Sequence, residues 1–371
     1  HRKQTYVAKI HVANPEKTVF VDYGYAGTER GTREQPFNHY MKDVYGNGLL
    51  TSGTYVFIKR GETCHNGDHI YVRDPGTVLK NVVITAYGKG PKPVLQGNNY
   101  SVRVAGGIGL GSNYNEDTIS NIFISDFEIT RYDGGFVRTH TECKEIKLHR
   151  LYGHDNVEAT NYGTRSGIYL FHRDDAIRSS NLVQDCVIKK SYSHGIKSSA
   201  KGDSIINVLV DDGDYYTKGG HNISMPARTT RFLRFIYVNK DRQSNLEIST
   251  DSVDVQFAYL GNAGQHAAFI YDDDTDYQNT HSGNNIVLKD IYIDNPRYSG
   301  AEIGYGNQGG NPEDSTCTVE IINGVIKNGS TGVKCSVYTH NIVLKNCKIT
   351  SNDNGLIVKK KKKNVIIYNC S

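Results

Sequence analysis

The chain has 371 residues, 37% of them hydrophobic, with 38 glycines, 26 tyrosines and no tryptophan. Its 43 basic and 39 acidic residues nearly balance at a net charge of +4, so nucleic acid is not an expected partner. β-Branched residues recur on schedule, which argues against disorder, and no apolar stretch approaches the ~18–20 residues of a membrane span.

Residues 1–18 carry little pattern and read as an N-terminal arm. No signal peptide precedes His1, and the numbering is expected to start at a processed or trimmed end. Thr18-Val-Phe-Val-Asp22 reads as a strand, followed by a glycine-punctuated loop through Gly31-Thr32. Over Pro36–Val44 the apolar residues at 37, 40, 41 and 44 predict a short helix that would cap an open strand edge. Tyr55–Gly61, Val82–Gly88 and Pro91–Gly97 follow as strands with firm turn stops. We therefore divide the chain into an arm at 1–18, a cap with the first coils at 19–118, and a repetitive body at 119–371.

The body is where the pattern becomes regular. An apolar-alternating run ends in Asp or Asn, and a β-branched pair, a Gly and a second short apolar run follow. The first runs end at Asp126, Asp185, Asp290, Asn323, Asn346 and Asn369, and the last three anchors lie 23 residues apart. A fixed period of this size means a solenoid of stacked units, and the alternation is that of strands. About ten coils fit between residue 119 and the end. Insertions at 153–166, 211–219, 272–285 and 305–316 break the rhythm and should be loops. The anchors themselves are assigned to structure, as side chains that bond one another at a turn. Seven cysteines with no CxxC pair suggest buried thiols, with Cys186, Cys347 and Cys370 turned inward after an anchor. The run Lys359–Lys363 reads better as a solvated turn than as a grip on an anionic polymer.

Thr18-Val-Phe-Val-Asp22, Gly31-Thr32-Arg-Glu-Gln-Pro36-Phe37, Val56-Phe-Ile-Lys-Arg-Gly61, Ala86-Tyr87-Gly88 and Pro93-Val-Leu-Gln-Gly97 resemble the opening of right-handed parallel β-helix proteins. The chain is most similar to secreted polysaccharide lyases of the alginate-lyase and chondroitinase-B kind, and to β-helical phage tail-spike depolymerases. The resemblance implies an all-β solenoid with a short N-terminal capping helix, located outside the cell or on a virion surface. It further implies an anionic polysaccharide as partner, with a homotrimer if the protein is a tail spike. Fold alone does not choose the activity.

Stacking the second runs of each coil predicts an outward file of Tyr169, Lys197, Asn222, Glu247, Phe269, Glu302 and Lys334. A parallel file through Phe171, Ser199, Ser224, Ser249 and Tyr271 lies beside it, with His172 at its start. Aromatic faces with polar groups between them suit a sugar chain. For an anionic, uronate-containing chain the expected reaction is β-elimination, with Lys197 as base and a counter-charge for the carboxylate. In the lyases the chain resembles, a Lys and an Arg flank a Ca²⁺ held by Asn and Glu. That assigns Asn222 and Glu247 as ligands and leaves Arg228, or Arg173, as the nearest arginine.

The acidic loop Asp272-Asp-Asp-Thr-Asp276 offers Asp272 and Asp274 as further calcium ligands, and a solvated loop is its alternative reading. His194 and His221 precede adjacent second strands and are candidates for acid or base work, or for hydrogen-bonded turn residues. If the enzyme is instead a hydrolase, Glu247, Asp251 and Asp272 supply its carboxylates. The remaining expectations are a tail-spike module that binds or hydrolyses a glycan, and a plain adhesive solenoid.

Overall fold

The computed structural model describes residues 14–65, 67–73, 78–97, 106–111, 118–139, 143–156, 166–171, 179–199, 202–212, 220–225, 231–249, 252–270, 284–304, 317–335, 341–351, 353–358 and 364–371. They form a right-handed parallel β-helix. A 20-stranded sheet makes two sides of each coil and an 11-stranded sheet makes the third. Alternation decides which side chains fill the interior. In Tyr55–Lys59, Val56 and Ile58 are fully buried, while Tyr55, Phe57 and Lys59 lie on the outer face. The same rule runs the length of the molecule and leaves one continuous core of Ile, Val and Leu. Cys64, Cys143, Cys186, Cys335 and Cys347 join it as buried side chains, and burial pushes the Cys186 thiol up to about 12.

Where a coil turns between the two sides of the large sheet, one residue per rung adopts the left-handed conformation. Asp126, Arg150, Asp185, Asn207, Phe235, Phe257, Asp290, Asn323, Asn346 and Asn369 occupy that corner, with φ from 50° to 69°. Asn and Asp tolerate this region better than other non-glycine residues. Their side chains also link the rungs: Asn323 Nδ2 donates to Asp290 Oδ1 at 2.7 Å, and Asn369 Nδ2 to Asn346 Oδ1 at 3.0 Å. Phe235 and Phe257 have no such bond to offer. They stack on each other instead, 5.0 Å between centroids and 5° from parallel. The anchors are thus structural, as their spacing predicts.

The helix expected over Pro36–Val44 is not formed. Phe37 is drawn into the sheet, its N–H donating to Phe20 O at 3.0 Å and its carbonyl accepting from Asp22 N–H at 2.8 Å. Only Tyr40–Tyr45 turn, as a single wide loop in which Gly46 N–H reaches Met41 O at 2.9 Å. The buried carboxylate of Asp68 accepts from the N–H groups of Tyr40 and Met41 and pins the turn's first residues. Strand pairing before residue 38 competes with the helical period and wins.

A column of small residues enters the third side of successive coils: Gly167, Gly195, Asn222, Asn245, Ala267, Gly300, Gly332 and Gly355. At Gly332 an added Cβ would lie 2.5 Å from the Gly355 carbonyl oxygen and 2.2 Å from Ile349, whereas at Gly355 it would meet nothing within 4 Å. Gly332→Ala should therefore destabilise the fold by about 1–3 kcal/mol, the usual range for overpacking. Gly355→Ala, in the same column with open space around the added Cβ, should leave the urea midpoint unchanged. Equal effects would mean that the contact between rungs is not what excludes a side chain.

Candidate functional site

The smaller sheet stacks Ile70–Val72, Ile108–Leu110, Val137–Thr139, Ile168–Leu170, Ile196–Ser198, His221–Met225, Ser244–Ile248, His266–Ile270, Ser299–Ile303, Thr331–Cys335 and Asn354–Val358 in order. Its pairing places Tyr71, Gly109, Arg138, Tyr169, Lys197, Ser224, Glu247, Phe269, Glu302 and Lys334 at equivalent outward positions. Neighbours in such a row are about 4.8 Å apart. Tyr169, Lys197, Glu247, Phe269, Glu302 and Lys334 thus share one face, as the sequence pattern predicts.

Two positions of the expected row need correction. Asn222 is not on the outer face; it is fully buried. Its Nδ2 donates inward, to Asn239 O at 3.1 Å and Asn245 Oδ1 at 3.1 Å. Ser224 takes its place in the row, and so leaves the second file. The slip arises because Gly220 looks like the start of this strand, whereas the small-residue position is filled by Asn222. Arg138 was missed for a related reason. Its strand has Phe136 where its neighbours have glycine, so nothing in the sequence marks the entry of the coil.

At one end of the row, Tyr169 lies between two cations. Lys197 Nζ is 5.8 Å from the centre of its ring and the Arg138 guanidinium carbon 5.9 Å. Both cations are partly withdrawn from water, which pulls both pKa values down; Glu247 opposes this at Lys197 and Tyr169 at Arg138. Neither has a carboxylate partner among the described residues, and Arg138 Nε is buried without a hydrogen bond. Phe171 extends the aromatic surface, its ring centred 5.6 Å from that of Tyr169.

The middle of the row holds a carboxylate. Glu247 is 7% exposed, with His221 Nε2 3.2 Å from one oxygen and the Ser224 hydroxyl donating to the other. His194 lies beside His221 as expected, 6.1 Å between ring centres. Burial, reinforced by Lys197 and His221, pushes the His194 imidazole down to about 3, so it is neutral through the physiological range. The far end repeats the theme. Lys334 Nζ donates to Glu302 at 2.7 Å, His266 Nε2 lies 3.2 Å from the other oxygen, and His266 stacks on Phe269 at 5.4 Å. Burial holds the His266 pKa below its ordinary value, with Glu302 opposing and Lys334 reinforcing.

A calcium ion prefers six to eight oxygen ligands. Asn222 spends its amide inside the coil, and both Glu247 oxygens are engaged by His221 and Ser224, so this pair does not fit that ion. Among the described residues no group of three or more His, Cys, Asp or Glu side chains could hold a metal. His172, Arg173, Arg228, Asp251, Tyr271, Asp272, Asp274 and Lys359–Lys363 lie outside the described residues. Among those described, no helix is long and apolar enough to cross a membrane.

No protein-family model and no curated protein sequence matches this chain. Solved structures do. The A-module of a mannuronan C-5 epimerase from Azotobacter vinelandii is similar at a TM-score of 0.58 and 12% identity, over 93% of this chain and 99% of that one. A GH136 lacto-N-biosidase from Eubacterium ramulus is similar at 0.56 and 14%, over 95% and 67%. The catalytic domain of a GH87 α-1,3-glucanase, solved with tetrasaccharides, is similar at 0.51 and 14%, over 99% and 71%. At these identities the likeness is one of fold, and it establishes that the described coils build the same parallel β-helix as these carbohydrate-active enzymes.

Proposed function

We propose that this protein acts on a polysaccharide and cleaves a uronate-containing chain by β-elimination on the outer face of the smaller sheet. The observation that carries the reading is the set Arg138, Tyr169 and Lys197 on three adjacent strands, two cations flanking an aromatic ring. The proton next to a sugar carboxylate leaves only if the carboxylate's charge is neutralised. Arg138 supplies that charge. Lys197, with its pKa lowered by burial, reaches the free-amine form more readily than an exposed lysine and serves as base.

In the step proposed, the C-5 proton passes to Lys197 Nζ and the electron pair of that bond forms the C4–C5 double bond. The C4–O bond breaks, and the leaving oxygen takes a proton from the Tyr169 hydroxyl. The products are an unsaturated sugar end and a new hydroxyl end; Lys197 then returns its proton through solvent and Tyr169 is reprotonated. Glu247 and His221 position this end of the groove through their mutual contact. That the solved structures of like fold act on glycans is consistent with the reading.

Hydrolysis is the second reading. Glu247 and Glu302 stand in one file with Phe269 between them. Two strand spacings, about 10 Å, approach the carboxyl separation of inverting glycosidases. Against it, both carboxylates already face basic partners, His221 and Lys334.

Incubation with a panel of acidic polysaccharides, followed by ultraviolet absorbance of unsaturated ends, separates these readings. Elimination predicts a rise that falls by about 10²–10⁴-fold in Lys197→Ala and equally in Lys197→Arg, since an arginine does not give up its proton. New reducing ends without absorbance mean hydrolysis, and binding without cleavage means a glycan-recognition module. Because the base works only when deprotonated, kcat/KM should climb with pH through the Lys197 pKa, on a limb below the range of free lysine. Replacing Arg138 with Ala should cost about 10²–10³-fold in kcat, with the fold intact by circular dichroism.

A further inference from the structure

Directly after the left-handed corner of the large sheet, each coil has a residue at an inward position. Ile291, Gly324, Cys347 and Cys370 fill it in consecutive coils, following Asp290, Asn323, Asn346 and Asn369. Two cysteines therefore stand one above the other. Neighbouring strands lie about 4.8 Å apart, inside the roughly 4.4–6.8 Å between α-carbons that a disulfide spans. Bonds between coils fix the approach on both sides of the pair. Asn369 Nδ2 donates to Asn346 Oδ1 at 3.0 Å, and the Ser371 N–H donates to Cys347 O at 2.9 Å.

Both thiols lean toward the preceding coil, Cys347 Sγ donating to Ile321 O at 3.3 Å and Cys370 Sγ to Leu344 O at 3.4 Å. Cys370 Sγ consequently rests against its neighbour, accepting from the Cys347 N–H at 3.4 Å. Turning Cys347 about its Cα–Cβ bond to another staggered position brings the second sulfur round. Cys347 is buried, whereas Cys370 is half-buried. Burial, reinforced by Cys370 and opposed by the Gly324 amide, holds the Cys347 thiol above its ordinary pKa and makes it the poorer first nucleophile. Cys186 occupies the same inward position between Leu151 and Val208 and has no sulfur above or below it in the column.

We infer that Cys347 and Cys370 are a redox modification site, at which a disulfide closes one whole coil into a covalent ring. The oxidant is a small soluble disulfide such as oxidised glutathione. Cys370 loses its proton and attacks one sulfur of that disulfide, breaking its S–S bond and releasing a first glutathione thiolate. Cys347 then loses its proton and attacks the Cys370 sulfur of the mixed disulfide, releasing a second. Two protein thiols are oxidised, one glutathione disulfide is reduced to two thiols, and the two protons pass to the released thiolates. Strands Asn354–Val358 and Asn364–Tyr368 lie within the ring. Once it is closed, those strands reach fewer conformations when they open, so opening is disfavoured.

Fully reduced protein treated with oxidised glutathione at mildly alkaline pH tests the site. After alkylation and digestion, mass spectrometry should find the peptides of Cys347 and Cys370 joined. Limited proteolysis within residues 348–369 should then run about tenfold slower than in the same protein reduced again. Cys186→Ala should keep both the link and the protection. Cys347→Ala should stop with glutathione attached to Cys370, and Cys370→Ala should take up none at Cys347. If Cys347→Ala does not fold, Cys370→Ser, at the less buried position, should abolish link and protection together. Both thiols still open to alkylation in the treated protein, a link between a different pair, or equal proteolysis of oxidised and reduced protein overturns the inference. Protection that survives in Cys370→Ser, or glutathione carried by Cys347 in the Cys370→Ala variant, also counts against it.

Discussion

A strand cannot satisfy its own backbone, and in this molecule the interior strands are completed by those one coil before and after them. That parallel bonding fixes everything else. It needs each coil to turn at the same place, which explains the left-handed Asn and Asp corners and the bonds between them. It needs the turns to pack closely, which explains a column of glycine, alanine and inward-facing asparagine at the entry to the smaller sheet. Removing a side chain's worth of space at one rung displaces its neighbour as well.

The same bonding makes the outer face of the smaller sheet a ruled surface. Side chains far apart in sequence, such as Arg138 and Lys334, sit at equal intervals on backbone that has little freedom to move. Chemistry that depends on spacing is well served by such a face. Within it, burial does the electrical work. Glu247 and Glu302 are nearly covered, and each is held against a basic side chain. Lys197 and Arg138 are partly covered, and among the described residues neither is held against a carboxylate in this way.

Aromatic residues serve two purposes here, and geometry tells them apart. Tyr237, Tyr259 and Tyr292 lie nearly parallel on the large sheet, with successive centroids 4.6 and 5.7 Å apart. Rings stacked in this way cover one another's faces and join rung to rung, as Phe235 and Phe257 do at the corner. Tyr169 stands between two cations instead of two rings. The first arrangement holds coils together; the second lies on the outer row of the smaller sheet.

The sequence by itself determined the architecture, because a repeat of apolar alternation and turn residues leaves few ways to bury its strands. The 23-residue spacing of Asn323, Asn346 and Asn369 became the exact register Ile321, Leu344, Ile367 on neighbouring strands. The pairing of His194 with His221 and the file from Tyr169 to Lys334 were readable for the same reason. What only the tertiary structure decided was register wherever the repeat lost its glycine. Asn222 occupies that position and turns inward, so Ser224 faces out; Phe136 occupies it one flank earlier, and hides Arg138 from any count of spacing. Nor does the sequence say where Pro36–Val44 stops being helix-like, since strand pairing by Phe37 and the Asp68 carboxylate are contacts made from a distance. Periodicity records what every coil must do, whereas hydrogen bonds between coils choose among alternatives that differ by two residues, the smallest shift that returns a side chain to the same face.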